Sequence, residues 1–391
     1  MITNLLDSRH PYPVFRRLCD FLDIQDIIHL TRTCKKFSGL YSYLLPILWN
    51  VDKRLERFAQ QPEIFRSQMG LYDALITGSF AVQFFERVTW PKAALDIYIE
   101  RGHKMDSFCE YLGSTESCTD RAPRESEQCE PFLLDEDLFE VRHFTTPRTE
   151  SEIRVVGTPD HPLRTILDLS HSTVVVNFIT WNKAYAIFPL PTFCQHRGYL
   201  LQQLDDWERP LVQEYSRRGW TIEEMMWPED HCKNHPLRPQ RRTGDQQSWI
   251  IPFNAFNVKL SSTPDYHIDH GFFQIKHTHI HQPYDGEFKR DEQNFWYSIE
   301  AVTIQPPILR HPLVIGTDSL FQYIFTRGRV LTHTEMLKLS PDHRPEHYEQ
   351  RLAKPEEWWH EPFYKPDYWQ YYDDRVPKWI AMWEEEEKSM E

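Results

Sequence analysis

The sequence predicts an α+β protein in three stretches: a bundle of short helices, an α/β domain, and a mixed, β-containing, aromatic-rich C-terminal region. Three observations carry this prediction. In residues 13–49 apolar side chains recur at helical spacing. In residues 74–100 and 173–180, strand-like alternation and the β-branched run TVVVNFIT sit among amphipathic helix patterns. Residues 352–391 are crowded with Trp358, Trp359, Phe363, Tyr364, Tyr368, Trp369, Tyr371, Tyr372, Trp379 and Trp383.

A chain of 391 residues, 40% of them hydrophobic, is long enough for two or three domains and a substantial core. No apolar run approaches the roughly 18 residues of a membrane span. The start, MITNLLDSRH, carries an acid and lacks the basic-then-apolar order of a secretory signal, so a cytoplasmic or nuclear location is expected. Seven cysteines form no CxxC pair, which predicts reduced thiols rather than a disulfide framework. A net charge of -14 works against partners bound through a phosphate backbone, and neither nucleic acid nor membrane is an expected partner.

In residues 13–49 the apolar series Val14, Leu18, Phe21 and Leu22, then Ile27, Leu30, Cys34 and Phe37, then Leu40, Leu44 and Leu48 predicts three short helices. Asp23 is a candidate N-cap between the first two, and Pro13 stands where a first helical residue tolerates it. Helices this short are marginal alone, so a partner surface is implied. These residues resemble an F-box: Pro13 followed by Leu18 and Leu22, the loop 23–26, Leu30, the run Thr33-Cys34-Lys35-Lys36-Phe37, and the closing Leu48-Trp49. By that resemblance Pro13, Leu18, Leu22, Ile27, Leu30, Cys34, Phe37 and Trp49 would contact a Skp-type adaptor of a cullin-RING (SCF-type) ubiquitin ligase, leaving the rest of the chain to hold a protein target. The alternative is a helical cap packed on this chain's own next domain.

A helical linker is expected over residues 51–70. Beyond it, 74–77 reads as a short strand ending in Gly78-Ser79, 80–88 as a helix with Phe80, Phe84 and Phe85 on one face, and 94–100 as a strand alternating Leu95, Ile97 and Ile99 with Asp96, Tyr98 and Glu100. Residues 103–135, rich in Ser, Glu, Asp and Arg, read as a mobile insertion. Strands follow at 138–143 and 151–156, a helix at 162–169, a central strand at 173–180, a strand or turn at 184–188 and a helix at 191–204. The segments 249–262, 271–280 and 295–304 read as a small β-rich unit, and 320–325 and 334–339 as two short helices. The expected boundaries are 8–50, 51–70, 71–204 and 205–391.

Strand, Gly-Ser at a helix start, then a strand bearing a carboxylate resembles the nucleotidyltransferase fold. In that family the Gly-Ser amides hold a phosphate, and paired carboxylates in a Dh[DE]h pattern hold metal ions. The resemblance implies ligand binding at Gly78 and Ser79 and a candidate catalytic role for Asp96. Its neighbours at two-residue spacing are Ala94 and Tyr98, so the second acid of the pattern is missing, and Asn177 takes the third carboxylate's place on the later strand. A catalytically silent relative is therefore expected, with no required cofactor, and Mg²⁺ or a nucleotide as the candidate ligands. Gly78-Ser79 serving only as a helix start remains the alternative. The GS…LD pattern behind an F-box is similar to that of F-box proteins common in fungi, over residues 13–192.

Histidines gather at His267, His270, His277, His279 and His281; on a strand the last three would face one way, as candidate metal ligands with Asp269 as an oxygen donor. An exposed strand face is the other reading. His231, Cys232 and His235 form a weaker set. No nucleophile elbow, Walker loop, dinucleotide fingerprint or HExxH helix appears. At helical spacing, Val376, Trp379, Ile380 and Trp383 predict a packed helix; the remaining C-terminal aromatics either seal the core or form a recognition surface. The expected function is a substrate-recognition adaptor of a ubiquitin ligase. The alternatives are a nucleotidyl- or phosphotransferase centred on Gly78, Ser79 and Asp96, or an F-box interaction protein outside any ligase.

Overall fold

The computed structural model describes Arg17, Cys19 and residues 21–91, 93–122, 139–202, 209–223, 237, 240–279, 295–316, 319–346, 348, 359 and 361–390. The chain divides into two compact units, one of Met1–Leu237, Gln246–Ser262 and His277–Ser298, the other of Arg238–Asp245, Thr263–Lys276 and Ile299–Glu391.

The first unit opens with α1 (Ile24–Thr33), whose start is fixed by a reciprocal cap: Asp26 N–H donates to the Asp23 carboxylate at 2.7 Å and Asp23 N–H to that of Asp26 at 3.3 Å. Such a box is worth about 1 kcal/mol. Extended backbone at Cys34 (φ -159°) stops the helix, so the apolar series that reads as one helix through Phe37 is split and a 3₁₀ turn, Lys35–Phe37, delivers Phe37. Three helices follow: α2 (Leu40–Leu48), α3 (Val51–Leu55), capped by Asn50, and α4 (Pro62–Leu71), which takes Pro62 in its first turn.

Next come β1 (Leu75–Thr77), α5 (Gly78–Glu86), β2 (Leu95–Glu100) and α6 (His103–Ser114). The helix α6 and β3 (Thr119–Arg121) correct the expected mobile insertion over 103–135: Met105, Phe108, Cys109, Tyr111 and Leu112 lie buried along one face of α6, a stripe hidden by the polar residues between them. Residues 123–135 of that insertion lie outside the described residues. β4 (Glu140–Thr145), β5 (Glu152–Thr158) and α7 (Pro162–Leu169) come next, then β6 (Asn177–Ile179) and β7 (Lys183–Ala186). The run 173–180, expected to be one long strand, gives only the three residues of β6. The Asn177 side chain donates to Val174 O at 2.6 Å, and the backbone N–H of Val175 donates to Ser172 O, folding the β-branched residues before it into a turn. Of residues 191–204, expected as a helix, 203 and 204 lie outside the described residues, and the rest form a π-helical turn (Leu190–Cys194) and β8 (Arg197–Tyr199), after a positive φ of 51° at His196. β8 pairs with β9 (Thr221–Glu223), which follows α8 (Arg209–Arg217).

Eight strands form one sheet in the order β11-β7-β6-β1-β2-β5-β4-β3, β11 being Trp249–Pro252. Every neighbouring pair is antiparallel except β2 and β5, joined in parallel by the long connection through α6, β3 and β4. β11 corrects the expectation that 249–262 belongs to a separate β-rich unit. Along β2, Leu95, Ile97 and Ile99 join Phe80, Phe84, Phe85, Met105, Phe108 and Leu112 in the main core, so α5 and α6 cover that face. The alternate residues, Asp96 among them, face the side that α7 approaches.

In the second unit β10 (Gln240–Arg242) pairs with the first residues of β12 (Phe272–His279), and β14 (Val302–Ile304) with β15 (Leu313–Ile315); of β13 (Phe295–Glu300) only Ile299 and Glu300 belong to this unit. A short helix, α9 (Tyr266–Asp269), precedes β12. The two short helices expected at 320–325 and 334–339 are one helix, α10 (Ser319–Met336), because Leu320, Ile324, Gly328 and Thr332 form one buried stripe four residues apart. Gly328 is required there by a close approach: a Cβ would stand 2.7 Å from Pro306 Cγ. The last helix, α11 (Val376–Met390), buries Val376, Trp379, Ile380 and Trp383, with Trp383 edge-on to Phe272 at 5.7 Å. The acidic run 384–387 continues this helix; Glu384 pairs with Arg242 at 3.1 Å and Glu387 accepts from Ser319 at 2.8 Å.

Candidate ligand pocket

The Gly-Ser start and the lone acid come together at one end of the central strands. Gly78 begins α5 with φ 65°, a left-handed turn that a side chain would strain by about 1–2 kcal/mol. Thr77 precedes it without capping the helix through its side chain; its hydroxyl donates instead to Asn177 O at 2.8 Å. Gly78, the first residue of α5, thus lines the pocket at the helix's positive end. The cross-strand register sets Asp96 beside Thr77 on one side and Arg154 on the other. Asp96 is 2% exposed; one carboxylate oxygen accepts from Arg154 Nε at 2.5 Å, and the other, Oδ2, is buried with no hydrogen-bond partner. His171 closes the opposite wall, 3% exposed, with Nε2 likewise unpartnered; burial pushes its imidazole down to about 4, so it is neutral at physiological pH. Thr77, Gly78, Asp96, Tyr98, Thr165 and His171 line a half-open pocket whose enclosed part is about 30 Å³, room for a water or one small polar group.

The row continues across the sheet. Opposite Arg154 on β4 lies His143, which shares Glu152 with Arg121: His143 Nδ1 is 3.0 Å and Arg121 Nη2 2.8 Å from the carboxylate. Burial alone pushes the Glu152 carboxyl up, but the His143 hydrogen bond and the Arg154 and Arg121 charges outweigh it and hold the group below the usual carboxylate range.

Gly78 and Asp96 therefore share a pocket, whereas Ser79 is half-buried outside its lining and its carbonyl accepts from Gln83. Asn177 does not flank Asp96: it lies on β6, on the far side of β1, and the strand next to Asp96 is β5. Sequence reading missed Arg154 and His171. The alternation Glu152, Arg154 against Ile153, Val155 put Arg154 on a polar face, but nothing local says which strand that face meets. The set does not fit a divalent metal ion. The pocket's single carboxylate already holds a guanidinium, and Arg154's charge stands where a second acid would have to be.

Of the residues expected to meet a Skp-type adaptor, Pro13 and Leu18 lie outside the described residues. Ile27, Phe37 and Trp49 are buried by this chain itself, a correction to their role as an exposed ridge. Trp49 donates to Phe85 O at 3.1 Å and packs edge-on to Trp249 at 5.3 Å, because the following helices and β11 close over it. Leu22 and Leu30 are half-buried, Cys34 is exposed and Phe21 is 85% exposed. Among the candidate metal ligands, His277 and His279 lie on β12 while His281, His231, Cys232 and His235 fall outside the described residues. His267 and His270 belong to α9 and its end rather than to the strand; His267 is buried against Tyr266. Among the described residues no group of three or more His, Cys, Asp or Glu side chains is placed to hold a metal ion, and no helix is long and apolar enough to cross a membrane.

No family model matches the chain, and no curated protein matches it. Among solved structures, the chain is similar to the Thermotoga maritima CCA-adding enzyme complexed with tRNA, at 16% identity and a TM-score of 0.33 over 46% of this chain and 42% of that one. A CCA-adding enzyme in complex with CTP is similar at the same identity and TM-score, over 46% and 43%. The chain thus spans less than half the length of either.

Proposed function

We propose that this chain acts by binding rather than by group transfer, with a nucleotidyltransferase-like pocket in which an internal ion pair has taken the place of metal chemistry. The observation that carries the reading is the buried Asp96–Arg154 pair. Two-metal transfer needs carboxylates free to hold both ions, and here the one acid is neutralised from within the sheet. What remains is an acceptor at Asp96 Oδ2, a neutral imidazole at His171 and the backbone of Gly78 at the start of α5. Those groups match a hydroxyl, which donates to the carboxylate. Transfer of a nucleotide label from each nucleoside triphosphate, in excess Mg²⁺, is expected to be no faster with the intact protein than with its Asp96→Asn variant. Mg²⁺-dependent transfer that disappears in Asp96→Asn would establish the transferase centred on Gly78, Ser79 and Asp96 instead.

A second reading, docking on a Skp-type adaptor and its cullin complex with an unknown protein as target, is favoured by Phe21, an aromatic ring left 85% exposed next to half-buried Leu22 on the N-terminal helical segment. Because Ile27, Phe37 and Trp49 are spent inside this chain, the contact would rest on Phe21, Leu22, Leu30 and Cys34. Co-purification of the adaptor is expected to fall roughly tenfold in a Phe21→Asp, Leu22→Asp variant, the loss of about one hot-spot residue. Equal recovery from both proteins removes the docking role.

A further inference from the structure

In the second unit one ammonium group is held by aromatic faces. Lys365 Nζ lies 5.2 Å from the ring centre of Phe363, 5.6 Å from that of Tyr371 and 5.9 Å from that of Trp369, all within cation–π range. No carboxylate among the described residues pairs with it, so the rings are its partners. They are built in rather than draped: Trp369 is 5% exposed, its indole N–H donates to Pro307 O at 3.2 Å, and its ring meets Phe363 at 5.4 Å and 64°. Tyr371 is held from another side by the Arg310 guanidinium at 4.5 Å, whose own backbone N–H is fixed by the Asp373 carboxylate at 3.0 Å. Lys365 itself sits in a segment without helix or strand, and its side chain stays solvent-accessible.

We propose that Phe363, Trp369 and Tyr371 form a cage for a quaternary methylammonium group, and that Lys365 is its built-in, displaceable occupant. A primary ammonium is a poor long-term tenant: it gives up part of its hydration and rotamer freedom to sit against ring faces that accept hydrogen bonds only weakly. The rings desolvate it enough to hold its pKa below the ordinary lysine value. A trimethylammonium carries the same charge without N–H groups to hydrate, spreads it over methyl groups that pack on ring faces, and so gains the same attraction at lower cost. Tethered two residues from the cage wall, Lys365 competes as an intramolecular ligand of high effective concentration, which weakens but does not abolish capture from solution.

The test is ligand-observed NMR titration of the full chain with three probes: tetramethylammonium, choline, and a capped Nε-trimethyllysine. Lys365→Ala is expected to bind tetramethylammonium saturably and roughly fivefold more tightly than the unaltered protein, the worth of a removed cation–π competitor. Adding Phe363→Leu or Tyr371→Leu, which keeps apolar bulk and removes the ring face, is expected to abolish that binding. Whichever of choline and trimethyllysine binds more tightly names the natural source of the group. The proposal is overturned if Lys365→Ala, with an unchanged circular dichroism spectrum, shows no saturable binding, if it binds no better than the unaltered protein, or if either ring replacement leaves binding intact.

Discussion

Replacing Arg66 by alanine is expected to lower the free energy of unfolding by about 2–3 kcal/mol, the range for losing the hydrogen bonds of a charged donor. The guanidinium is 1% exposed and serves three elements at once. Nη1 meets both carboxylate oxygens of Asp52 on α3 at 2.9 and 3.0 Å, Nε donates to Trp181 O at 2.7 Å in the β6–β7 turn, and Nη2 donates to Asn254 O at 2.9 Å beyond β11. Its plane also lies over Phe253 at 5.4 Å. In the alanine variant the half-buried Trp181 carbonyl and the exposed Asn254 carbonyl lose a charged donor, and Asp52, 31% exposed, can rehydrate, so the loss is that of the guanidinium's own hydrogen bonds and packing. Arg66→Met keeps the apolar stem and isolates the polar part. Arg66→Lys is expected to recover about half, because one ammonium cannot reach three acceptors in three directions. Urea unfolding followed by circular dichroism measures this, and a change below about 1 kcal/mol would show that the three elements hold without their shared donor.

Acidification is expected to weaken the fold through His171. Its folded-state value is about 4, set by burial, against about 6.5 in the unfolded chain. Above 6.5 both states carry a neutral imidazole and the group contributes no pH dependence. As pH falls from there toward 4, the unfolded chain takes up a proton that the folded protein excludes, so stability declines, and below the folded value the loss is complete. The depression corresponds to about 3 kcal/mol. Unfolding free energies at about pH 7 and about pH 4.5 should differ by most of that amount, and His171→Gln, which keeps a polar wall in the pocket, should remove this part of the slope. An unchanged slope in the variant would assign the acid sensitivity to other groups.

What the sequence shows of this molecule is largely what is local. The Asp23 cap, the helix at 162–169 opening on its proline, the Gly-Ser turn and the Leu95, Ile97, Ile99 alternation all depend on neighbours a few residues away, and all appear where spacing puts them. The features that decide the site are not local. Arg154 reaches Asp96 across 58 positions through the parallel β2–β5 register, which a linear pattern does not encode. The run TVVVNFIT misled for a related reason: β-branched residues favour buried surroundings, and a buried turn pinned by the Asn177 side chain satisfies them as well as a strand does. In α6 the polar residues between the buried positions raised the charge of the window and masked a good amphipathic stripe. The aromatic C-terminus showed its helix by spacing at 376–383, but not the cage, whose walls come together through turn geometry at 363–371.

The edge strand β11 bears on how the protein is made. Trp249 donates to Tyr41 across 208 positions, and the ring it presents to Trp49 completes a cluster begun by the N-terminal helices. During synthesis the large sheet therefore waits, with β7 lacking its outer neighbour, until residues past 252 leave the ribosome. That interval leaves an unprotected sheet border and an open aromatic hollow, the conditions under which nascent chains associate wrongly and holding chaperones matter most.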